Sequence, residues 1–151
     1  MKIVYQKKEI DSKLLPTFKE LCKTPTIFLF YGQVGAGKTT LIRELCKSLF
    51  EIKDANSPTF AYVKKYDLTN SNYLSHFDLY RLKSKEDFLT LGLEEDLFDP
   101  KTFCFIEWPE VIESTMQYLE LSKPIYTVKI NHLAHGRELL LEPFKSFILN
   151  K

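Results

Sequence analysis

The stretch FLFYGQVGAGKTT, residues 28–40, is where the chain stops spending large apolar side chains and turns to glycine. A run that is apolar at every position fits a strand covered on both faces, as in a parallel sheet. Immediately downstream, TTLIRELCKSLF sets Leu41, Ile42, Leu45, Leu49 and Phe50 at helical spacing. Periodicity alone therefore orders the segment as strand, glycine turn, helix. Gly32, Gly37, Lys38 and Thr39 complete the Walker A spacing. Glycine accepts positive φ and puts no Cβ in the concave face of the turn. Successive N–H groups of Gln33, Val34, Gly35, Ala36 and Gly37 can then face an anion, reinforced by the dipole of the helix that follows. Lys38 is expected to reach the β- and γ-phosphates of a nucleoside triphosphate, and Thr39 to offer its hydroxyl to Mg²⁺. A turn that merely joined strand to helix would need no Lys-Thr at this offset.

Working outward, MKIVYQ reads as a short strand, and Asp11 or Ser12 as the cap of a helix through LLPTFKELCK, with Pro16 in its first turn. NSPTFAYVKKYDL is a turn feeding a strand. Asn70, Ser71 and Asn72 form a hairpin connection into a second extended segment, NYLSHFDLYRL. A helix is expected over SKEDFLTLGLEEDLFDP, capped by Ser84 and ended by Pro100. KTFCFIEW is a further buried strand and VIESTMQYLELSK a helix. PIYTVKI and RELLLEP pair around a turn at His132–Gly136. The expected fold is α/β: a P-loop type, mixed but mainly parallel sheet, with helices on both faces and an antiparallel C-terminal strand pair, forming one domain over residues 1–151.

A phosphate loop of this kind needs an acid at the end of a neighbouring buried strand to hold the magnesium shell. Glu107 ends the apolar run FCFIE, and a carboxylate there is costly unless it is paired. Glu107 takes the metal role with Thr39. Asp78, from a more polar segment, suits the positioning of water or of a mobile loop, or is an ordinary strand-end Asp. Trp108, the single tryptophan, either packs or sits on the nucleotide or a partner. His132 and His135 have a metal-like spacing, but they fall on a presumed turn without a third ligand, so a metal is not expected there.

Composition narrows the rest. Hydrophobic residues make up 44% and charged residues 27%, as in a folded soluble chain. Twenty-one Lys and Arg against 20 Asp and Glu give no basic excess, which argues against independent nucleic-acid binding. Cys22, Cys46 and Cys104 are widely spaced and suggest neither zinc nor a disulfide. The opening MKIVYQKKEID lacks the apolar core of a secretory signal, and TIFLFY is too short to span a bilayer; a cytoplasmic chain without membrane contact is expected. No [NT]KxD element for guanine occurs, so ATP is favoured over GTP. A small-molecule or nucleoside kinase and a non-hydrolysing nucleotide-sensing module remain the alternatives to an ATPase.

Four blocks taken together, GAGKTT to Thr40, Ser57-Pro-Thr-Phe60, His76-Phe-Asp-Leu-Tyr-Arg-Leu82 and Ile106-Glu-Trp108, resemble the TsaE (YjeE) family in order and separation. The resemblance implies an ATPase, sluggish alone, that works with TsaB and TsaD in making threonylcarbamoyladenosine in tRNA, with tRNA reached indirectly through the complex. It places the family's metal-binding threonine and acid on Thr39 and Glu107, and its second P-loop threonine on Thr40. Its functional aspartate and tryptophan fall on Asp78 and Trp108. Lys38, Thr40, Asp78, Glu107 and Trp108 are thus the expected catalytic set, and Thr59 is expected near the γ-phosphate. Lys8–Asp11 is the segment expected at the nucleoside. Arg81 is conceivable as an arginine finger. Two positions depart from the family: Gln33 replaces its usual Asp, and KTPTIFLFYG lacks the glycine that typically precedes the P-loop strand.

Overall fold

A computed structural model describes residues 1–58 and 61–145. The apolar run becomes β2 (Ile27–Tyr31), flanked by parallel partners on both sides. One is β5 (Thr102–Glu107), buried at every residue, and the other is β6 (Ile125–Leu133). β4 (Tyr73–Asp78) lies parallel to β5. Antiparallel strands close each side: β3 (Val63–Asp67) on β4, and β7 (Gly136–Pro143) between β6 and β1 (Lys2–Tyr5). The sheet therefore runs β1-β7-β6-β2-β5-β4-β3.

Strand parity divides the core. Phe28 and Phe30 face one side, where they pack with Phe18, Leu41, Ile42, Leu45 and Phe105 beneath α1 (Leu15–Leu21) and α2 (Lys38–Phe50). Ile27 and Leu29 face the other, with Phe77, Phe88, Leu97, Ile106 and Met116. That face is covered by α3 (Lys85–Thr90), α4 (Glu95–Phe98) and α5 (Glu113–Met116). Helices thus lie on both faces, as expected.

Four local expectations are corrected. The first helix is not capped by Asp11 or Ser12: a 3-10 turn over Lys7–Glu9 and a π-type turn over Ile10–Leu14 precede α1, and the Ser12 hydroxyl donates to the Glu9 carbonyl. The reciprocal cap lies earlier, where the Gln6 N–H donates to Glu9 Oε2 at 2.8 Å. The helix that begins at Ser84 splits in two because Gly92, at φ +70°, ends the first turn segment with a left-handed residue. Ser84 does cap its start, accepting from the Asp87 N–H at 3.2 Å. The segment after Trp108 is helical only briefly, as a 3-10 turn over Pro109–Ile112 followed by α5. The C-terminal strands reach further than expected, to Leu133 and from Gly136, leaving a tight turn between them.

Candidate functional site

The carboxyl ends of β2, β5 and β4 meet the start of α2, the edge at which open α/β sheets bind ligands. A cavity of about 380 Å³ opens there, lined by Val34, Gly35, Gly37–Thr40, Asp78, Tyr80, Glu107, Trp108 and Arg137. Gly37 enters α2 at φ +105° and Gly35 sits at φ +79°. A Cβ on Gly35 would meet nothing within 4 Å, so this side of the turn is open to a ligand. Ala36 tucks under the turn at 1% exposure, which holds the loop against the core.

Lys38 is buried, and its ammonium donates to the carbonyls of Gly32 and Gln33, the latter at 3.1 Å. The Trp108 ring covers it, with the Nζ 4.0 Å from the ring centroid, and Tyr80 packs on Trp108 at 4.9 Å. Burial pushes the Lys38 ammonium below its ordinary pKa, while the charges of Glu107, Glu110 and Asp78 act the other way. Trp108 adopts a left-handed backbone conformation, φ 57°, directly after the strand ends. The conformation turns its ring back over the glycine loop instead of continuing the sheet.

Glu107 is 2% exposed and wired on both oxygens. Oε1 accepts from the Thr39 hydroxyl at 2.6 Å, and Oε2 lies 2.7 Å from His76 Nε2. Ser57 Oγ is within 3.4 Å of Oε2 and 3.5 Å of the Thr39 hydroxyl. Asp78 is level with Glu107 across the β4–β5 ladder, and its Oδ1 accepts from the Tyr80 N–H at 3.1 Å. Burial raises the Asp78 pKa, the charge of Glu107 adds to this, and the Tyr80 hydrogen bond opposes it.

The residues fit a magnesium nucleotide. A hydroxyl and a carboxylate converge within 2.6 Å, both hard oxygen donors, and Mg²⁺ is commonly held by one or two such protein groups plus phosphates and water. Lys38 and the N-terminus of a 13-residue helix supply positive charge beside them.

Of the expected residues, Val34, Gly35, Gly37, Lys38, Thr39, Thr40, Asp78, Glu107 and Trp108 come together around this one cavity. Gln33 faces outward and contributes its carbonyl to Lys38. Thr59 lies outside the described residues. Lys8 and Asp11 line a separate groove with Lys7, Ile10 and Glu44. Arg81 is exposed and does not line the cavity, whereas Arg137 does. His132 bonds the Gly35 carbonyl at 2.7 Å, bracing the loop.

Sequence reasoning passed over His76 and Arg137. His76 was legible in principle: it is two residues from Asp78 in a strand, so both side chains leave the same face. Arg137 carried no local signal, because its place depends on β6 and β7 returning beside β2.

The sheet order and the glycine turn define an α/β protein of the P-loop class. Residues 5–139 match the family model described as threonylcarbamoyl adenosine biosynthesis protein TsaE. The chain belongs to the TsaE family. It is 34% identical to the tRNA threonylcarbamoyladenosine biosynthesis protein TsaE of Rickettsia conorii, covering 90% of this chain and 82% of the relative. With the protein of the same name from Rickettsia bellii it shares 36% identity over 90% of each chain. The solved structure of Bacillus subtilis YdiB superposes with a TM-score of 0.62 at 22% identity, covering 92% of this chain and 82% of that one, a likeness of fold. Among the described residues, no helix is long and apolar enough to cross a membrane.

Proposed function

We propose that the chain binds and hydrolyses Mg-ATP in support of threonylcarbamoylation of tRNA adenosine, acting with a TsaB–TsaD pair. The observation that carries this reading is the convergence of Lys38, Thr39, Asp78 and Glu107 around one cavity at the head of α2. The names of its relatives supply the pathway.

The main-chain N–H groups from Val34 to Thr39 would hold the phosphate chain, and Lys38 would release its loop carbonyls to meet the outer phosphates. Thr39 and Glu107 would hold Mg²⁺, which when bound neutralises charge building on the phosphates. Asp78 or Thr40 would orient the water that attacks in line, giving ADP and phosphate. The groove at Lys8–Asp11 and Glu44 is the place proposed for the nucleoside. Arg81 is exposed and outside the cavity, so among the described residues no arginine lies beside Asp78 and Glu107 from their own strands. A missing finger can cost roughly a thousandfold or more in rate, so on this reading turnover alone would be slow and would rely on a partner.

Phosphate release measured with ATP, alone and then with TsaB–TsaD, tests the reading. Stimulation by the pair is expected, and equal rates would count against the partnership. Lys38→Ala should reduce nucleotide affinity beyond calorimetric detection. Phosphate delivered to a small acceptor instead of to water would mark a kinase, and tight binding without turnover a sensing module.

A further inference from the structure

We infer that His132 is a positioning residue: its hydrogen bond to the Gly35 carbonyl holds the glycine loop in its anion-binding form, a role that rests on the nucleotide reading above. His132 Nε2 and the Gly35 oxygen lie 2.7 Å apart. A carbonyl only accepts, so Nε2 carries the proton in this contact and donates it. Strand geometry brings the ring there. β2 ends at Tyr31, paired with Lys129, while β6 continues to Leu133 beside the glycine turn. His132 leaves the same face of β6 as the buried Val128 and Ile130, the face that packs with Leu41 and Ile42 of α2. Ile130 meets Gly32 through its main chain, and two residues further on His132 meets Gly35.

The partners of the other loop carbonyls show why this bond matters. For N–H groups to face an anion, carbonyls must turn outward and find donors elsewhere. Those of Gly32 and Gln33 accept from the Lys38 ammonium. On the nucleotide reading Lys38 leaves both when it meets phosphate. Gln33 then keeps the Ala36 N–H, at 3.0 Å. Among the described residues, His132 is the donor that reaches the Gly35 carbonyl, and it stands outside the loop, where phosphate does not displace it.

Gly35 needs that hold. It sits at φ +79°, and of the three loop glycines it alone has open space where a Cβ would stand. A glycine in open space rotates at little steric cost. Without His132 the Gly35–Ala36 peptide is free to swing its oxygen toward the anion. Only the fraction of chains with that oxygen held outward then binds well, which lowers the apparent affinity. His132 acts from outside the loop, so its loss weakens binding and leaves the chemical step alone.

The test compares the unaltered chain with His132→Phe, which keeps a ring without a donor, and His132→Gln, whose Nε2 lies as many bonds from Cα as the lost one. ADP and ATP are titrated calorimetrically with magnesium chelated to prevent turnover. Both affinities should fall about threefold to tenfold in His132→Phe, the range for one neutral hydrogen bond, and return in His132→Gln. Turnover at saturating Mg-ATP should match across the three. Exchange of the Gly35 and Ala36 amide hydrogens in the ligand-free chain should quicken in His132→Phe and slow again in His132→Gln, a change that general destabilisation would not confine to the loop. If His132→Phe melts well below the unaltered chain, His132→Ala takes its place. Unchanged affinity in the folded variant without a donor overturns the role. Equal weakening in His132→Phe and His132→Gln also overturns it, because the imidazole would then act by something other than its N–H. Lost turnover at unchanged affinity puts the histidine in the chemistry and overturns it too. Should the unaltered chain fail to bind ADP, the nucleotide reading itself fails and this role falls with it, a result that none of the other outcomes produces.

Discussion

On the β5–β4 side of the glycine turn, a buried acid is tied into its surroundings: Glu107 joins Thr39, His76 and Ser57, with the half-buried Asp78 alongside. On the β6–β7 side the contacts are of another kind. Ile130 presents its carbonyl so close to Gly32 that a Cβ there would lie 2.7 Å from it, His132 bonds the Gly35 carbonyl, and Arg137 covers Gly37. One flank holds hydroxyl and carboxylate groups in fixed positions, suited to a cation. The other braces the loop's main chain and, among the described residues, leaves Arg137 Nε without a hydrogen-bond partner. The loop is thus the dividing line between two chemistries, and each flank can be removed separately.

The largest effect is expected on the acid flank. Glu107→Ala should reduce turnover by about 10²–10³-fold, the range for removal of a preorganised electrostatic group, while leaving magnesium-free ADP binding largely intact. Loss of ADP binding as well would show that this flank shapes the loop and is not confined to the cation. Next, His76→Ala removes the partner that orients Glu107. Such supporting residues typically contribute about 10–100-fold to metal affinity. The expected outcome is weakened Mg²⁺ or Mn²⁺ dependence in the ADP complex, with metal-free ADP affinity unchanged.

The hairpin flank is tested by comparing two glycines. Both have positive φ, so an alanine at either position is strained by about 1–2 kcal/mol. Only at Gly37 would the new Cβ also meet Arg137. Gly37→Ala should therefore melt below Gly35→Ala, by about 2–4 °C for each further kcal/mol in a chain of this size. Arg137→Met in the Gly37→Ala background should recover part of that difference, a coupling that a double-mutant cycle reads directly. Additive effects would mean that the two residues do not meet.

How far these flanks could be read beforehand differs in the same way. The strand, turn and helix from Phe28 to Phe50 were legible because each obeys a local period, and Glu107 because a carboxylate after five buried residues needs a reason. Ser84 announced its cap. Gly92 was visible but gave no sign that its left-handed conformation would split a helix, and the π-type turn at Ile10–Leu14 follows from tertiary packing, with Ile10 and Leu14 both buried. The acid flank comes from strand ends, where sequence position fixes direction. The hairpin flank comes from sheet order, which no single segment encodes, and so Arg137 carried no signal in its own segment.

The smallest effect sharpens the acid flank and concerns its charge before any ligand arrives. Burial, and secondarily the charge of Glu107, raises the Asp78 pKa above its ordinary value. The folded chain therefore holds this proton to higher pH than the unfolded chain does. Stability linked to the group is fully present below the unfolded value, near 4, and is lost as pH rises through the raised folded value. At neutral pH the ionised Asp78 is a net cost. Asp78→Asn keeps an Oδ1 acceptor for the Tyr80 N–H while removing the charge. Asp78 is only half-buried, so solvent screening limits the gain to about 0.5 kcal/mol, or about 1–2 °C in melting temperature. Melting curves at pH 7 should show that rise, and the gain should vanish as pH falls below about 4. A variant that melts lower at pH 7 would mean that attraction to Lys38 and His76 outweighs the repulsion from Glu107, and that the acid flank is already balanced without a cation.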